Sequence, residues 1–171
     1  SKHRVAVGPS DPDFYKAKFM QARMIVANND AKYDINKRRA KHFGEHMKEC
    51  PTWSQAEDTP TQQALILSPG LHAKKMQWLN RHDKECGKLY GMLPLLHHMP
   101  MALTDHVDRS PEKNLLAGTI GHVHSWVMGP KEPEVVRGTA RPLQYLPLVV
   151  FLEFPDAKWK VPGLDEPGLY P

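Results

Sequence analysis

The first apolar run of the chain, Met24–Ala27, is four residues long and predicts a buried strand. Asn28–Asp30 follows it, a cluster of the residue types that cap helix N-termini. The periodicity after this cluster predicts a helix from about Ala31 to Met47. Together these segments predict a strand–helix unit.

The predicted helix has an apolar side and a basic side. The apolar stripe is formed by Tyr33, Ala40, Phe43 and Met47, with Asn36 in the same line. Another face carries Lys37, Lys41 and Lys48, with Arg38 and Arg39 at its flanks. Backbone N–H groups at a helix N-terminus, together with nearby cations, suit a phosphodiester backbone. The alternative is a solvated basic face with no ligand.

The second half of the chain predicts mainly strands. Residues 90–96 and 99–104 predict two strands that His97 and His98 separate, and residues 119–127 alternate imperfectly. Residues 146–154, LPLVVFLEF, give the clearest strand signal in the chain. A strand–helix unit followed by a run of strands predicts an α+β arrangement, either inside a larger α/β domain or with an added small barrel.

Other segments are weaker in pattern. Residues 50–63 predict a loop anchored by Trp53. Residues 14–21 are undecided between a short helix and an extended segment, whereas 64–67 form a short apolar run and 71–81 predict a second basic helix. The tail, residues 161–171, is punctuated by Pro and Gly and has the pattern of an unfinished end.

Charge is distributed unevenly along the chain. Residues 1–100 carry 16 Lys and Arg against 10 Asp and Glu, whereas residues 101–171 carry 7 against 9. A basic half is compatible with a surface that faces phosphates. No run of eighteen apolar residues occurs, so no membrane span is predicted. Two cysteines far apart predict reduced thiols in an intracellular protein.

The motifs of nucleotide and metal chemistry are incomplete. No G-x-x-x-x-G-K-[ST] sequence occurs, so the chain is not predicted to hydrolyse ATP by itself. Three pairs have spacings that could hold zinc, namely His97–His98, His122–His124 and His82–Cys86. The four-ligand spacing of a structural zinc site is not met, and a polar strand face is the alternative for His122 and His124. We therefore predict no catalytic, cofactor-binding or metal-binding residue.

Two blocks of the chain resemble Pif-type (superfamily 1B) DNA helicases and the related helicases of Helitron transposons. Residues 24–41 resemble the strand and helix of the family's fourth helicase motif, in which an Asn after the strand is followed by an Ile-Asn pair. Asn29, Ile35 and Asn36 occupy these positions here.

The second block is MPMALTDHVD, Met99–Asp108, which resembles the family's apolar strand and is followed by a glycine turn and strand at Leu116–Val123. LPLVVFLEF resembles the strand that comes next in the family, so the order agrees across residues 24–154. The chain departs from the family pattern at Ala117 and His106, where Asn is usual, and matches only loosely over residues 50–90. The family's Walker motifs and its nucleotide-sensing arginine are not in these residues.

The resemblance implies a fold and a set of contact residues. It implies a partial RecA-like second motor domain over residues 1–90, and a strand-rich segment over 91–171 that leads into an inserted small β-barrel. The family holds single-stranded DNA across this region. Asn29 and Asn36, then Lys37 and Arg38, are the implied strand contacts, and the implied turn glycines are Gly118 and Gly121.

The resemblance also implies a function and partners. The chain is expected to be a single-stranded-DNA-binding fragment of an ATP-dependent helicase of DNA repair and recombination, with no ATPase activity of its own. ATP and Mg²⁺ belong to the full-length family. The expected partners are single-stranded DNA and the remainder of the helicase or another protein, with no membrane, in the nucleus or an organelle. The alternative is a non-enzymatic interaction or assembly module derived from that fold.

Overall fold

The computed structural model describes residues 29–57, 91–134 and 142–171. These ranges contain one helix, α1 (Asn29–Met47), and six strands. The strands are β1 (Thr52–Gln55), β2 (Met92–Leu95), β3 (Pro100–Ala102), β4 (Ile120–Val127), β5 (Val149–Glu153) and β6 (Leu169–Tyr170). The predictions for residues 14–21, 24–27, 64–67 and 71–81 lie outside the described residues.

The described strands form two antiparallel sheets. β1 pairs with β2, and the second sheet has the order β3-β4-β5-β6 with antiparallel neighbours throughout. The prediction of a mixed α/β chain with a strand-rich second half is confirmed. Within the described ranges the four-stranded sheet is open, with β3 and β6 at its two edges. A RecA-like origin and a boundary near residue 90 stay predictions.

The segment around Trp53 is a strand and not the predicted loop. Trp53 lies opposite Pro94, which has no N–H to donate, and the Trp53 carbonyl instead accepts a hydrogen bond of 2.7 Å from the Leu143 N–H. Because the backbone groups of a strand point alternately to its two sides, Pro94 costs the ladder no hydrogen bond here. TWSQ lacks the apolar alternation of a strand, so only its partners reveal β1.

The chain end also contains a strand that its Pro/Gly pattern does not predict. Leu169 and Tyr170 pair with Glu153 and Leu152, and the Phe154 N–H donates to the Gly168 carbonyl at 2.9 Å. Gly168 has φ +73, a conformation that glycine adopts without steric cost. The tail is thus docked against β5.

A β-bulge at His124 changes which face of β4 each side chain occupies. Val123 lies opposite Leu152, and the next paired residue is Ser125, opposite Phe151, so His124 is the extra residue. Strict alternation would place Trp126 on the face of His122. The bulge instead brings Trp126 to the face of Val123.

The first core lies between α1 and the four-stranded sheet. Ala40, Leu96, Met99 and Val123 are buried there, and Phe43, Met101, Trp126, Val150 and Leu152 pack against them. α1 contributes through Ala40 and Phe43, two members of its predicted apolar stripe. Met47 and Asn36, which the prediction placed in the same stripe, are exposed, whereas Ile35, outside that stripe, is buried.

A second core closes the other end of the sheet. Leu115, Phe154 and Trp159 are buried in it. The centroid of the Trp159 ring lies 6.0 Å from that of the Phe154 ring and 6.2 Å from that of the Tyr170 ring, which it meets edge-on. The tail is therefore held by aromatic packing as well as by strand pairing.

Candidate nucleic-acid interface

The four predicted contact residues all lie in α1, but on different sides of the helix. Asn29 is its first residue, two residues earlier than predicted, and Asn36 lies about two turns later on the same side. Lys37 is about 100° further round, whereas Arg38 is nearly opposite Asn29 on the helix. Asn29 and Asn36 thus share one side of the helix, Arg38 lies on the opposite side, and Lys37 lies about midway between them.

Arg38 is engaged by an acidic neighbour. Its Nε lies 2.9 Å from Oδ2 of Asp34, one turn earlier, and both side chains are more than half exposed. An exposed pair of this spacing contributes about 0.3–0.5 kcal/mol and is screened by salt. Because the Asp34 carboxylate partly neutralises Arg38, we expect Arg38 to attract a phosphate less strongly than an unpaired lysine would.

Lys37 and Lys41 form a second pair of cations on α1. They are one turn apart, about 6 Å along the helix axis, and Lys41 is exposed while Lys37 is half-buried. Within the described ranges neither ammonium forms an ion pair. We call Lys37 and Lys41 the lysine stripe. Lys41 is absent from the contact set that the resemblance implies, although its i,i+4 spacing from Lys37 signals it.

Arg39 has a partly buried side chain, as Lys37 has. Burial lowers the pKa of its guanidinium, which still stays protonated at any physiological pH. Arg39 lies about 160° round the helix from both Lys37 and Lys41, so it is outside the lysine stripe.

The C-terminal end of α1 is closed by a left-handed turn. The Glu49 N–H donates to the Gly44 carbonyl at 2.9 Å and the Lys48 N–H to the Glu45 carbonyl at 3.3 Å, the two bonds of a Schellman motif. Lys48 has φ +55, where glycine is the usual residue. This turn redirects the chain so that Glu49 reaches the sheet.

Glu49 joins the helix end to the turn between β2 and β3. Its Oε1 lies 2.7 Å from Nδ1 of His97, and its Oε2 accepts the His97 backbone N–H at 3.1 Å. The His97 ring stacks on Trp126, with centroids 4.7 Å apart and planes 27° apart. Glu49 and Trp126 together hold this imidazole in one orientation.

The turn itself has an unusual residue at its tightest point. The Met99 N–H donates to the Leu96 carbonyl at 3.2 Å, which closes a turn with His97 and His98 at its centre. His98 has φ +62, a left-handed conformation that a type II turn reserves for glycine. The His98 N–H donates to the Val123 carbonyl at 2.7 Å, and this bond anchors the turn to β4.

Of the two predicted turn glycines, only Gly118 lies in a turn. Its φ is +89, and the Thr119 N–H donates to the Leu116 carbonyl at 3.0 Å. Gly121 lies inside β4, where a Cβ would approach the Phe154 ring to 2.9 Å. The prediction for Gly121 is wrong because this glycine makes room for a packed ring and does not shape a turn.

One histidine in each of the pairs His97–His98 and His122–His124 has other side-chain contacts. Nδ1 of His124 lies 2.9 Å from Ser125 Oγ, and its Nε2 lies 3.5 Å from Glu166 Oε2. In the described part of the chain, no group of three or more His, Cys, Asp or Glu side chains is placed to hold a metal ion. The His82–Cys86 pair lies outside the described residues.

The described ranges contain no helix long and apolar enough to cross a membrane. Comparison of the chain with models of protein families, with curated proteins and with solved structures gives no match. The candidate function therefore rests on the geometry of α1 and of the turn that it contacts.

Proposed function

We propose that this chain binds single-stranded DNA as part of the second motor domain of a Pif-type helicase. The nucleotide-binding motifs of such a motor are not in these residues, so the role of the chain is to hold the DNA strand. The observation that carries the proposal is the lysine stripe, two cations one helical turn apart with no acidic partner in the described ranges.

The stripe suits a phosphate backbone for a physical reason. A lysine ammonium is a compact charge with three donors, and a phosphate oxygen can accept from it in many orientations. The two Cα atoms are about 6 Å apart along the axis, so the cations can contact phosphates of neighbouring nucleotides. Asn36 is exposed and lies about 100° round the helix from Lys37 and about 140° from Lys41, so the two lysines carry the proposal.

The proposal is tested by the salt dependence of binding. Affinity of the chain for a fluorescent oligo-dT is measured by anisotropy over a range of NaCl concentrations. The double variant K37A/K41A is expected to bind more weakly and to lower the slope of log Kd against log salt by about 1.4, since each lost contact to a single strand removes about 0.7.

Two controls separate the stripe from net charge. Lys158 and Lys160 are both exposed, so K158A/K160A removes the same charge and is expected to leave the slope unchanged. R38A is expected to have a small effect, because Arg38 is already paired with Asp34. Equal slopes for K37A/K41A and K158A/K160A, or no binding by the wild-type chain at low salt, would overturn the proposal.

A protein-interaction module is the second candidate, and a separate patch favours it. Leu148 is 68 % exposed and Val127 is 46 % exposed, and the Leu148 N–H donates to the Val127 carbonyl at 2.8 Å. Tyr145 and Leu146 are also exposed nearby in the sequence. Exposed apolar patches mark contact surfaces. A stoichiometric protein complex that L148E abolishes, with no DNA binding, would favour this candidate.

A further inference from the structure

The turn between β2 and β3 lies against the C-terminal end of α1. Gly44 faces Leu96, whose Cδ2 would lie 3.4 Å from a Cβ added to the glycine. Lys41 is the i,i+3 neighbour of Gly44 on the helix surface, and Leu96 directly precedes His97. The C-terminal end of α1 thus lies against this turn, through Gly44 at Leu96 and through Glu49 at His97.

The His97 imidazole has one covered face and one open face. The Trp126 indole covers the first at a centroid distance of 4.7 Å, while 49 % of the His97 side chain is exposed. Glu49 fixes the ring edge through Nδ1 at 2.7 Å. The open face is thus a flat, immobilised π surface, and binding to it costs little side-chain entropy.

We propose that the stacked pair of His97 and Trp126 is a base-stacking platform for single-stranded DNA. A nucleobase lies on the open face of His97 and extends the stack, while the adjoining phosphates lie along the lysine stripe. Every base has a π face, so the platform accepts any base, and histidine is one of the side chains on which bases stack. This inference rests on the proposed function and adds the site that holds the bases.

Three substitutions in the turn distinguish the role of the His97 ring from the role of its hydrogen bond to Glu49. His97→Asn keeps a donor at the position of Nδ1 for Glu49 and removes the ring. His97→Phe keeps an aromatic ring and removes the donor. His98→Gly changes the neighbouring residue to the one its φ of +62 favours, and it leaves the His97 ring in place.

The experiment compares two oligonucleotides on the full chain. One is oligo-dT of about fifteen nucleotides, and the other has the same phosphates with abasic sugars. The wild type is expected to prefer oligo-dT by about fivefold or more, the equivalent of one stacked base. H97N is expected to lose this preference, whereas H97F and H98G keep it. None of the three is expected to change the salt slope, because no phosphate contact is removed.

Each outcome has a distinct meaning. Equal wild-type affinity for both oligonucleotides, with the salt slope of the lysine stripe intact, overturns the platform and leaves the proposed function standing. Retention of the preference in H97N also overturns the platform. Retention in H97N together with loss in H97F assigns the effect to the Glu49 contact, whereas loss in both variants shows that an aromatic ring at this position is not sufficient and likewise contradicts the platform. Failure of the wild type to bind either oligonucleotide overturns both proposals.

Discussion

Two regions of the molecule differ in whether their lysines form ion pairs with acidic side chains. On α1, Lys37 and Lys41 form no ion pair within the described ranges. In the loop between β3 and β4, Nζ of Lys113 lies 2.9 Å from Oδ2 of Asp108 and 5.7 Å from the centre of the Tyr170 ring. Lys113 belongs to the fold, whereas the lysine stripe is available to a ligand.

The difference comes from local geometry and not from net charge. Asp108 and Lys113 lie at the two ends of a short loop that Asp108 and Leu115 close as a β-bridge, and Leu115 is buried in the second core. Less than a quarter of either charged side chain is exposed. On α1 the Asp34 carboxylate pairs with Arg38, its i,i+4 neighbour, and neither Lys37 nor Lys41 forms an ion pair within the described ranges although both lie on the same side of the helix as Asp34. A basic composition by itself identifies neither arrangement.

The largest expected effect tests whether the second core, on which the loop of Lys113 packs, stabilises the fold. Phe154 is 6 % exposed and packs with Leu115 and Trp159, so Phe154→Ala is expected to lower the free energy of unfolding by about 3–5 kcal/mol, as measured in urea. Val107→Ala is the control, because Val107 is 48 % exposed, and should cost under about 0.5 kcal/mol. A similar loss in both variants would contradict the assignment of the second core.

The next effect tests how α1 is held to the sheet. A Cβ at Gly44 would lie 2.5 Å from the Glu49 carbonyl oxygen, so Gly44→Ala must displace the turn that carries Glu49. We expect a loss of about 1–3 kcal/mol by chemical denaturation, although alanine is the better helix former. Gly129→Ala is the matched control, since its Cβ would make only an ordinary contact of 3.7 Å with Leu148. A stabilised G44A would show that the helix end is loose.

The pair of Asp108 and Lys113 in this loop should make the stability of the protein depend on pH. A hydrogen bond from the Ser110 hydroxyl, followed by the Lys113 ammonium, holds the pKa of Asp108 at about 2, below its ordinary 3.8. The native state therefore gains stability from the ionised carboxylate above pH about 4 and loses it as the pH falls through about 2.

Asp108→Asn is accordingly expected to be less stable than wild type at neutral pH, with the gap closing on acidification to about pH 2. Thermal or urea unfolding from pH 7 to pH 2 measures this. Asp165→Asn, at an exposed position, should follow the wild-type curve throughout. A constant gap between D108N and wild type would mean that the carboxylate charge is not the cause.

The smallest expected effects come from replacing each of two lysines with glycine, and the changes in the free energy of unfolding should have opposite signs. Lys48 has φ +55, so Lys48→Gly is expected to raise the free energy of unfolding by about 0.5–1 kcal/mol. Lys41 lies inside α1, where Lys41→Gly should lower it by a similar amount. DNA affinity should fall only for K41G, which belongs to the lysine stripe. Destabilisation by both would contradict the Schellman geometry.

The sequence predicts α1 and most of the second sheet because their signals are local. Ala40 and Phe43 repeat at helical spacing and are packed in the first core, and LPLVVFLEF contains β5. The basic face of α1 is visible in the same way, from the spacing of Lys37 and Lys41. What the pattern cannot show is which cation already has a partner.

Other features depend on residues far apart in the chain. β1 exists because Trp53 pairs with Pro94 on one side and receives the Leu143 N–H on the other. Thr52 and Trp53 favour strands, but TWSQ lacks the apolar alternation that would predict one. The His124 bulge likewise becomes visible only in the register of β4 against β5, and it alone decides that Trp126 faces the first core.

The amino-acid sequence by itself determined a basic amphipathic helix, a strand-rich second half and a resemblance to one class of DNA motor, since periodicity, charge spacing and motif order are properties of neighbouring residues. The Asp34–Arg38 pair is an i,i+4 contact inside α1, so its spacing is also a property of neighbouring residues. The tertiary structure alone decided that His97 is held between Glu49 and Trp126. These three residues come from separate segments of the chain, and only the packing of α1 on the sheet brings Glu49 to His97.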